Sequence, residues 1–361
     1  MQRLQLLENW LKTQLPQLAE FSSQFPHQHF NISPASADAS FRRYFRITTG
    51  DRSLIAMDAP PQQEDCQPFL HVARLFAEAG THVPTVLAQD LAQGFLLLSD
   101  LGNTTYLHAL NEASKEDPDK APDITGGKAG DKADLLYRDA IAALLKIQLA
   151  SEPAVLPEYD EVLLLRELNL FPEWYLGRHL QVMPDAKQKM ELERVFRKIV
   201  DNNLAQSRVF VHRDYHSRNL MVIDPNPGII DFQDAVYGPI AYDLVSLFKD
   251  AYIRWDEDHI LDWVIRYWEQ ARKLGLPVVQ DFADFYRDFE WMGVQRHIKV
   301  LGVFARLHYR DGKSAYLGNL PLVESYLRKA CERYRELNSL LTLLDEWQDN
   351  KPPETNVGYT F

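Results

Sequence analysis

The chain has 361 residues, 46% of them hydrophobic and 25% charged, with a formal net charge of −12. Its length is enough to bury a large core and predicts two lobes or domains, while the acidic balance argues against a general nucleic-acid binder, which needs a basic surface against phosphate. Net charge describes the whole molecule, so a local basic pocket for an anionic ligand stays compatible with it. Two cysteines, Cys66 and Cys331, offer neither a metal-ligand spacing nor a disulfide framework, and fit a reducing compartment.

In chain order, Leu4, Leu7, Leu11 and Leu15 recur at helical spacing among Gln, Glu and Lys. This predicts an amphipathic helix rather than a signal peptide, and no run approaches membrane-spanning length; the expectation is a cytoplasmic protein. Residues 41–48 and 53–57 read as paired strands around Gly50-Asp51, 69–79 as a helix ending at Gly80, and 83–88 and 94–98 as further strands. These elements predict a small β-rich domain over residues 1–100 with a hinge near its end, and a mostly helical one over 101–361. Residues 111–134 hold two prolines, three glycines, many charges and almost no apolar side chains. Such a segment cannot offset its ordering entropy by burial, and reads as a mobile insertion between helices, with a lid over ligand as the alternative. Amphipathic helices follow at 135–149 and at 162–180, the latter interrupted around Pro172, and 284–307 is a helix rich in cations and aromatics. Residues 351–361 read as a tail.

The most informative stretch is 209–231, VFVHRDYHSRNLMVIDPNPGIID. Asp214 follows His212 and Arg213, Asn219 lies five positions on, and Asp231-Phe232-Gln233 stands downstream, in the order of the H-R-D-L-x-x-x-N and D-F-G elements of phosphotransferases. Phosphoryl transfer leaves little covalent work for a protein, so catalysis comes from aligning an acceptor hydroxyl and neutralising phosphate charge. A carboxylate must face the acceptor, the role predicted for Asp214; hard oxygens must face Mg²⁺, the role predicted for Asn219 and Asp231. The bland reading is a strand, a polar turn and a strand with solvated acids. Three residues in the expected order, framed by β-rich runs, favour the catalytic one.

With residues 238–244, GPIAYDL, this stretch resembles the aminoglycoside phosphotransferase family, and the resemblance extends over most of the chain. It implies an α+β, protein-kinase-like two-lobed fold, with a small antiparallel-sheet N-lobe that covers nucleotide and a larger, mostly helical C-lobe carrying the catalytic loop and acceptor site. Residues 39–46 (ASFRRYFR), 57–61 (MDAPP) and 289–297 (FEWMGVQRH) are similar to the branch containing bacterial N-acetylmuramate/N-acetylglucosamine anomeric kinases of cell-wall recycling. That branch implies ATP-dependent phosphorylation of the sugar C1 hydroxyl, with ATP and Mg²⁺ as cofactors, no nucleic acid, no membrane insertion and no obligate protein partner.

The resemblance also places the nucleotide. Residues 36–44, with Ser40, cover the phosphates, although the glycine-rich pattern is absent; Arg42 or Arg43 adds charge, and alternation along a strand lets at most one of them face nucleotide. Met57 stands where many relatives carry a phosphate-binding lysine, so Arg42, Arg43 or Arg46 is expected to replace that cation. Ser99 and Leu101 offer hinge backbone to adenine. On the acceptor side the candidates are His216, Arg166, Trp291, Gln295, Arg296 and Lys299. Trp291, Gln295 and Lys299 recur every four residues and so share a helix face; the alternative is an amphipathic helix with its cations in water. Glu167 and Glu173 suit an aminoglycoside amine or a surface salt bridge, and Asp243 is expected to brace the catalytic loop. The competing functions are an aminoglycoside or other small-molecule hydroxyl phosphotransferase and a noncatalytic kinase-like binding protein. The latter draws on Met57 and the glycine-poor loop, and is opposed by the retention of Asp214, Asn219 and Asp231.

Overall fold

Alternating apolar residues in RYFRITT and RSLIAMD build the first part of the fold. The computed structural model describes residues 2–18, 30–36, 41–114 and 128–351, which fall into two units, Met1–Thr104 with Met221–Asp234 and Thr105–Leu220 with Ala235–Phe361.

The first unit contains α1 (Gln2–Gln14), β1 (Asn31–Ser36), β2 (Arg43–Thr49), β3 (Arg52–Asp58), α2 (Gln67–Glu78), β4 (Val86–Asp90) and β5 (Phe95–Ser99). The strands form one antiparallel sheet in the order β1-β2-β3-β5-β4. Pairing of Phe45 with Ala56, Ile47 with Leu54 and Ala56 with Leu97 puts these side chains on one face. Leu7, Trp10 and Leu11 of α1 cover that face, which is what the helical leucine spacing in the sequence is for. The helix start is held by Arg3, whose Nε donates to Asp58 Oδ1 at 2.9 Å. β4 begins three residues later than expected, after Pro84, whose missing N–H cannot enter a ladder.

Short strands β6 (Arg208–Val211), β7 (Leu220–Met221), β8 (Gly228–Ile229) and β9 (Val236–Pro239) frame the signature stretch. In the first unit, Phe232 is fully buried against Phe69 and Phe76 of α2, with ring centroids 5.0 and 5.9 Å apart. Ile229 N donates to His82 O at 2.8 Å. Together these contacts fix the position of the neighbouring Asp231.

The second unit holds α3 (Tyr106–Ser114), α4 (Lys128–Leu149), α5 (Glu161–Leu168), α6 (Ala186–Ala205), α7 (Tyr242–Phe248), α8 (Glu257–Leu274), α9 (Phe282–Tyr309), α10 (Leu320–Arg333) and α11 (Asn338–Asp349). Both ends of the expected insertion are helical, because α3 runs on to Ser114 and α4 starts at Lys128; residues 115–127, on which mobility or a lid was expected, lie outside the described residues. So do residues 352–361 of the expected tail. The helix expected at 162–180 stops at Leu168, and wide π-type turns resume at Phe171–Leu180. Pro172 sits in the first turn of this second piece, where no intrahelical donor is needed.

The 28-residue α9 is buried along its middle, from Phe289 to Leu301, and packs against α10, α7, α6 and the Phe171–Leu180 turns. The approach to the last of these is close. A Cβ at Gly302 would lie 2.5 Å from the carbonyl carbon of Leu170 and 2.7 Å from its oxygen. Alanine gains about 1 kcal/mol of helix propensity over glycine, but here it meets backbone that cannot rotate away. Gly302→Ala is therefore expected to lower the unfolding free energy by about 1–3 kcal/mol, as overpacking does, measured by urea denaturation; a stabilised variant would show that the helix can shift.

Candidate active site

The catalytic loop leaves β6 at Val211 in a conformation that needs support. Arg213 has φ +75°, a left-handed geometry that costs a side-chain-bearing residue about 1–3 kcal/mol. Asp243, buried in the first turn of α7, supplies the support: its Oδ2 accepts from His212 N at 2.6 Å and its Oδ1 from Arg213 N at 3.0 Å. Burial pushes the Asp243 carboxyl up to about 7, against the downward pull of these two amides. On the other side of the peptide, Arg213 O accepts from Arg296 Nη1 at 2.8 Å. The bracing expected of Asp243 is thus made to backbone rather than to a side chain.

Asp214 follows directly and keeps 43% of its side chain exposed. Asn219 Nδ2 donates to Asp214 O at 3.0 Å, closing the loop on itself. Arg296 Nη1 stands 3.7 Å from Asp214 Oδ1. Desolvation alone would raise the Asp214 carboxyl, yet the charges of Lys299 and Arg296 hold it well below the usual carboxylate range. Burial lowers the His216 imidazole from its ordinary value, and its ring meets Tyr252 edge-on at 5.5 Å between centroids.

Behind the loop lies a buried ionic cluster centred on Glu167. This carboxylate accepts from the Arg213 guanidinium and the Tyr159 hydroxyl, from Gln295 Nε2 at 3.1 Å, and pairs with Lys299 Nζ at 3.1 Å. Lys299 also donates to the Tyr242 hydroxyl at 2.9 Å. Burial works to raise Glu167, but Lys299 and Arg213 together bring it down to about 2. Tyr159 reaches it because position 238 is glycine, where a Cβ would fall 2.6 Å from the Tyr159 Cβ.

These contacts revise several expectations. Glu167 makes no surface salt bridge; it is 4% exposed and bridges α5, α9 and the catalytic loop. The two α9 cations singled out for the acceptor side do not point into water, since Arg296 and Lys299 are buried with Gln295. Arg166, its sequence neighbour, is exposed on the other side of α5. Trp291, one turn before Gln295, is buried against Tyr334 and under Arg287 rather than joined to the Glu167 cluster. Sequence reasoning missed Tyr159 and Tyr242, and the only signal for them was tyrosine next to an acidic helix cap and in the AYDL segment.

In the first unit each expected phosphate-side arginine has an acidic neighbour. Arg42 Nε is 3.5 Å from Glu64, Arg43 Nε donates to Asp58 Oδ2 at 3.1 Å, and Arg46 grips Asp100 through Nε and Nη2 at 2.6 and 3.0 Å. The register places Arg43 and Asp58 on the α1 face and Met57, fully buried, on the opposite one with Arg46. Ser99 Oγ accepts from Thr85 N at 2.8 Å, and Leu101 is buried. Ser40 lies outside the described residues. Asp231 has φ +63° and accepts from Gln233 Nε2 at 2.7 Å.

The Glu167 cluster sets an acid limit on stability. Its carboxyl falls from an ordinary 4.5 to about 2 on folding, so its contribution is complete above the unfolded value and is lost as pH falls toward the folded one, about 3 kcal/mol in all. Glu167→Gln leaves two cations unmatched and should cost about 3–5 kcal/mol at neutral pH. Urea denaturation of both proteins should show that gap closing as pH falls below about 4.5; parallel acid slopes would contradict it.

Among the described residues no helix is long and apolar enough to cross a membrane. The profile of the phosphotransferase enzyme family matches residues 31–282. An N-acetylmuramate/N-acetylglucosamine kinase of Pseudomonas aeruginosa is 48% identical over 344 residues, 95% of this chain and 96% of its own. One of the same name from Neisseria meningitidis is 46% identical over 362 residues, covering 100% of both chains. Among solved structures, a choline/ethanolamine kinase family protein from Mesorhizobium loti superposes with a TM-score of 0.57 at 13% identity, over 94% of this chain and 99% of its own. Its likeness establishes the α+β, protein-kinase-like fold. The order Asp214, Asn219, Asp231 read from the sequence, that fold, and the family match over residues 31–282 lead to one conclusion: the chain belongs to the phosphotransferase enzyme family.

Proposed function

We propose that the protein is an ATP-dependent sugar kinase that phosphorylates the anomeric (C1) hydroxyl of N-acetylmuramate and N-acetylglucosamine, in the cytoplasm, in recycling of cell-wall sugars. The observation that carries the substrate class is 48% identity to a kinase of that name over 95% of the chain. The chemistry of the second unit supports a hydroxyl acceptor: a half-exposed carboxylate, held ionised by neighbouring cations, is available to accept a hydrogen bond from an alcohol.

In this reading residues 1–100 form the nucleotide-covering lobe and 101–361 carry the catalytic loop and acceptor site. Asp214 orients the acceptor hydroxyl by accepting its proton. A carboxylate stabilised so strongly as an anion is a weak base, so full proton transfer comes late, after bond formation to phosphorus has made the hydroxyl acidic; this agrees with a loose transition state. Arg296 holds the Asp214 carboxylate from one side, and Asn219, through its bond to Asp214 O, holds the backbone.

Asn219 and Asp231 are the proposed Mg²⁺ ligands. Nδ2 of Asn219 is donated to Asp214 O, so Oδ1 is the atom with which Asn219 would hold Mg²⁺, and Asp231 would add a carboxylate; both are hard donors that suit this ion. Mg²⁺ is commonly held by one or two protein oxygens together with substrate phosphates. Mg²⁺ there would neutralise charge on the transferred phosphoryl group. For ATP, the reading assigns the backbone at Ser99 and Leu101 to adenine and the 36–44 segment, with Ser40 and Arg42, to phosphates. Arg42, Arg43 and Arg46 would act there only by leaving their present carboxylate partners.

Phosphorus and proton NMR of products from a panel of amino sugars and aminoglycosides tests the assignment. A sugar 1-phosphate is expected; phosphate on another hydroxyl, turnover of aminoglycosides alone, or no turnover would overturn it. Asp214→Asn should reduce kcat by about 10²–10⁴-fold while nucleotide affinity, followed by calorimetry, stays within about twofold. Retained turnover would remove Asp214 from the acceptor role.

A further inference from the structure

The cations around the catalytic loop are matched with acids, with one exception. Arg213 and Lys299 bond Glu167, Arg296 faces Asp214, and Lys249 donates to Glu290 at 3.0 Å. Arg218, on the same loop four residues past Asp214, is exposed and makes no ion pair among the described residues. Instead its guanidinium lies over the rings of Tyr252, 4.8 Å from the centroid, and Tyr316, 5.7 Å.

That arrangement is built rather than incidental. Tyr252 is fixed through its amide, which donates to Asp250 Oδ1 at 3.0 Å, and the other oxygen of Asp250 accepts from Ser217 N at 3.0 Å, so the carboxylate ties the tyrosine to the loop that carries Arg218. Phe304 of α9 backs both tyrosines, with ring centroids at 5.9 Å from Tyr252 and 5.0 Å from Tyr316. His216 lies between Asp214 and Arg218 in the loop sequence and meets the same Tyr252 ring edge-on. A guanidinium held over two tyrosine rings and hydrogen-bonded to both side chains loses conformational freedom, and its exposed fork of N–H donors still has some to offer a planar anion. Aromatic rings beside it suit the apolar face of a sugar.

The two proposed acceptors differ in one respect that such a site can read: N-acetylmuramate carries a carboxylate on an ether substituent and N-acetylglucosamine does not. We infer that Arg218, positioned by Tyr252 and Tyr316, binds that carboxylate and sets the preference between the two sugars; the inference rests on the sugar-kinase reading above. Arg296 and Lys299, two of the three acceptor-side candidates from the sequence that are cations, are occupied by Asp214 and Glu167. Arg218 is a specificity residue and takes no part in the phosphoryl transfer itself.

The test is kcat/KM for both sugars, at saturating ATP, in wild type, Arg218→Gln and Arg218→Lys. A charge-assisted hydrogen bond at a partly exposed site predicts that the ratio for N-acetylmuramate over N-acetylglucosamine falls about 10–100-fold in Arg218→Gln, through KM, with Arg218→Lys between the two. Equal losses on both sugars would assign Arg218 to a group they share, and an unchanged ratio would leave it no role; either overturns the inference while sparing the sugar-kinase assignment. Failure of the wild type to phosphorylate either sugar would overturn both.

Discussion

The second unit depends on one carboxylate that touches no reactant. Asp243 accepts from two successive backbone amides, His212 and Arg213, and so holds a left-handed turn that the side chain at 213 disfavours. Those two hydrogen bonds offset a strain of roughly 1–3 kcal/mol. From that fixed peptide the rest follows in both directions. The Arg213 side chain points back into the Glu167 cluster, its carbonyl receives Arg296, and the next residue, Asp214, is presented outward. Without the turn, neither the cluster nor the base would have its place.

The polar middle of α9 shows the same logic on a larger scale. A helix covered on several sides must bury whatever its sequence places there, and an unpaired buried charge costs several kcal/mol. Glu290, Gln295, Arg296 and Lys299 are tolerated because each has a partner from another element: Lys249, Glu167, the Arg213 carbonyl and the Tyr242 hydroxyl. These bonds also orient the side chains, so the packing of α9 and the geometry behind Asp214 are one arrangement.

Much of this was legible from local pattern. The leucine spacing of α1, the alternation of β2 and β3, and the order Asp214, Asn219, Asp231 are properties of short windows, where helix and strand periods and motif spacing apply. The partners of Glu167 were not. In the sequence it sits between Arg166 and Leu168 like any surface acid, and its burial follows from α5 meeting α9, 128 residues away at Gln295. Trp291 misled for the related reason that a shared helix face says nothing about which neighbour covers each turn. β9 was hidden because Gly238-Pro239 reads as a turn; it pairs with β6 since glycine there admits Tyr159 and proline stands at the strand's end.

The charge count of the Glu167 and Asp214 neighbourhood has a kinetic consequence. Three cations, Arg213, Arg296 and Lys299, face three acids there, Glu167, Asp214 and Asp243, so the neighbourhood is close to neutral inside a chain whose net charge is −12. An anion approaching this protein is repelled at long range and meets a nearly neutral, paired cluster at short range. The two respond unequally to ionic strength: at a Debye length of about 8–10 Å dissolved salt screens the distant repulsion far more than the close contacts of the buried cluster. Added salt thus removes a barrier to encounter before it weakens the binding, the reverse of the usual behaviour of an enzyme steered by opposite charge.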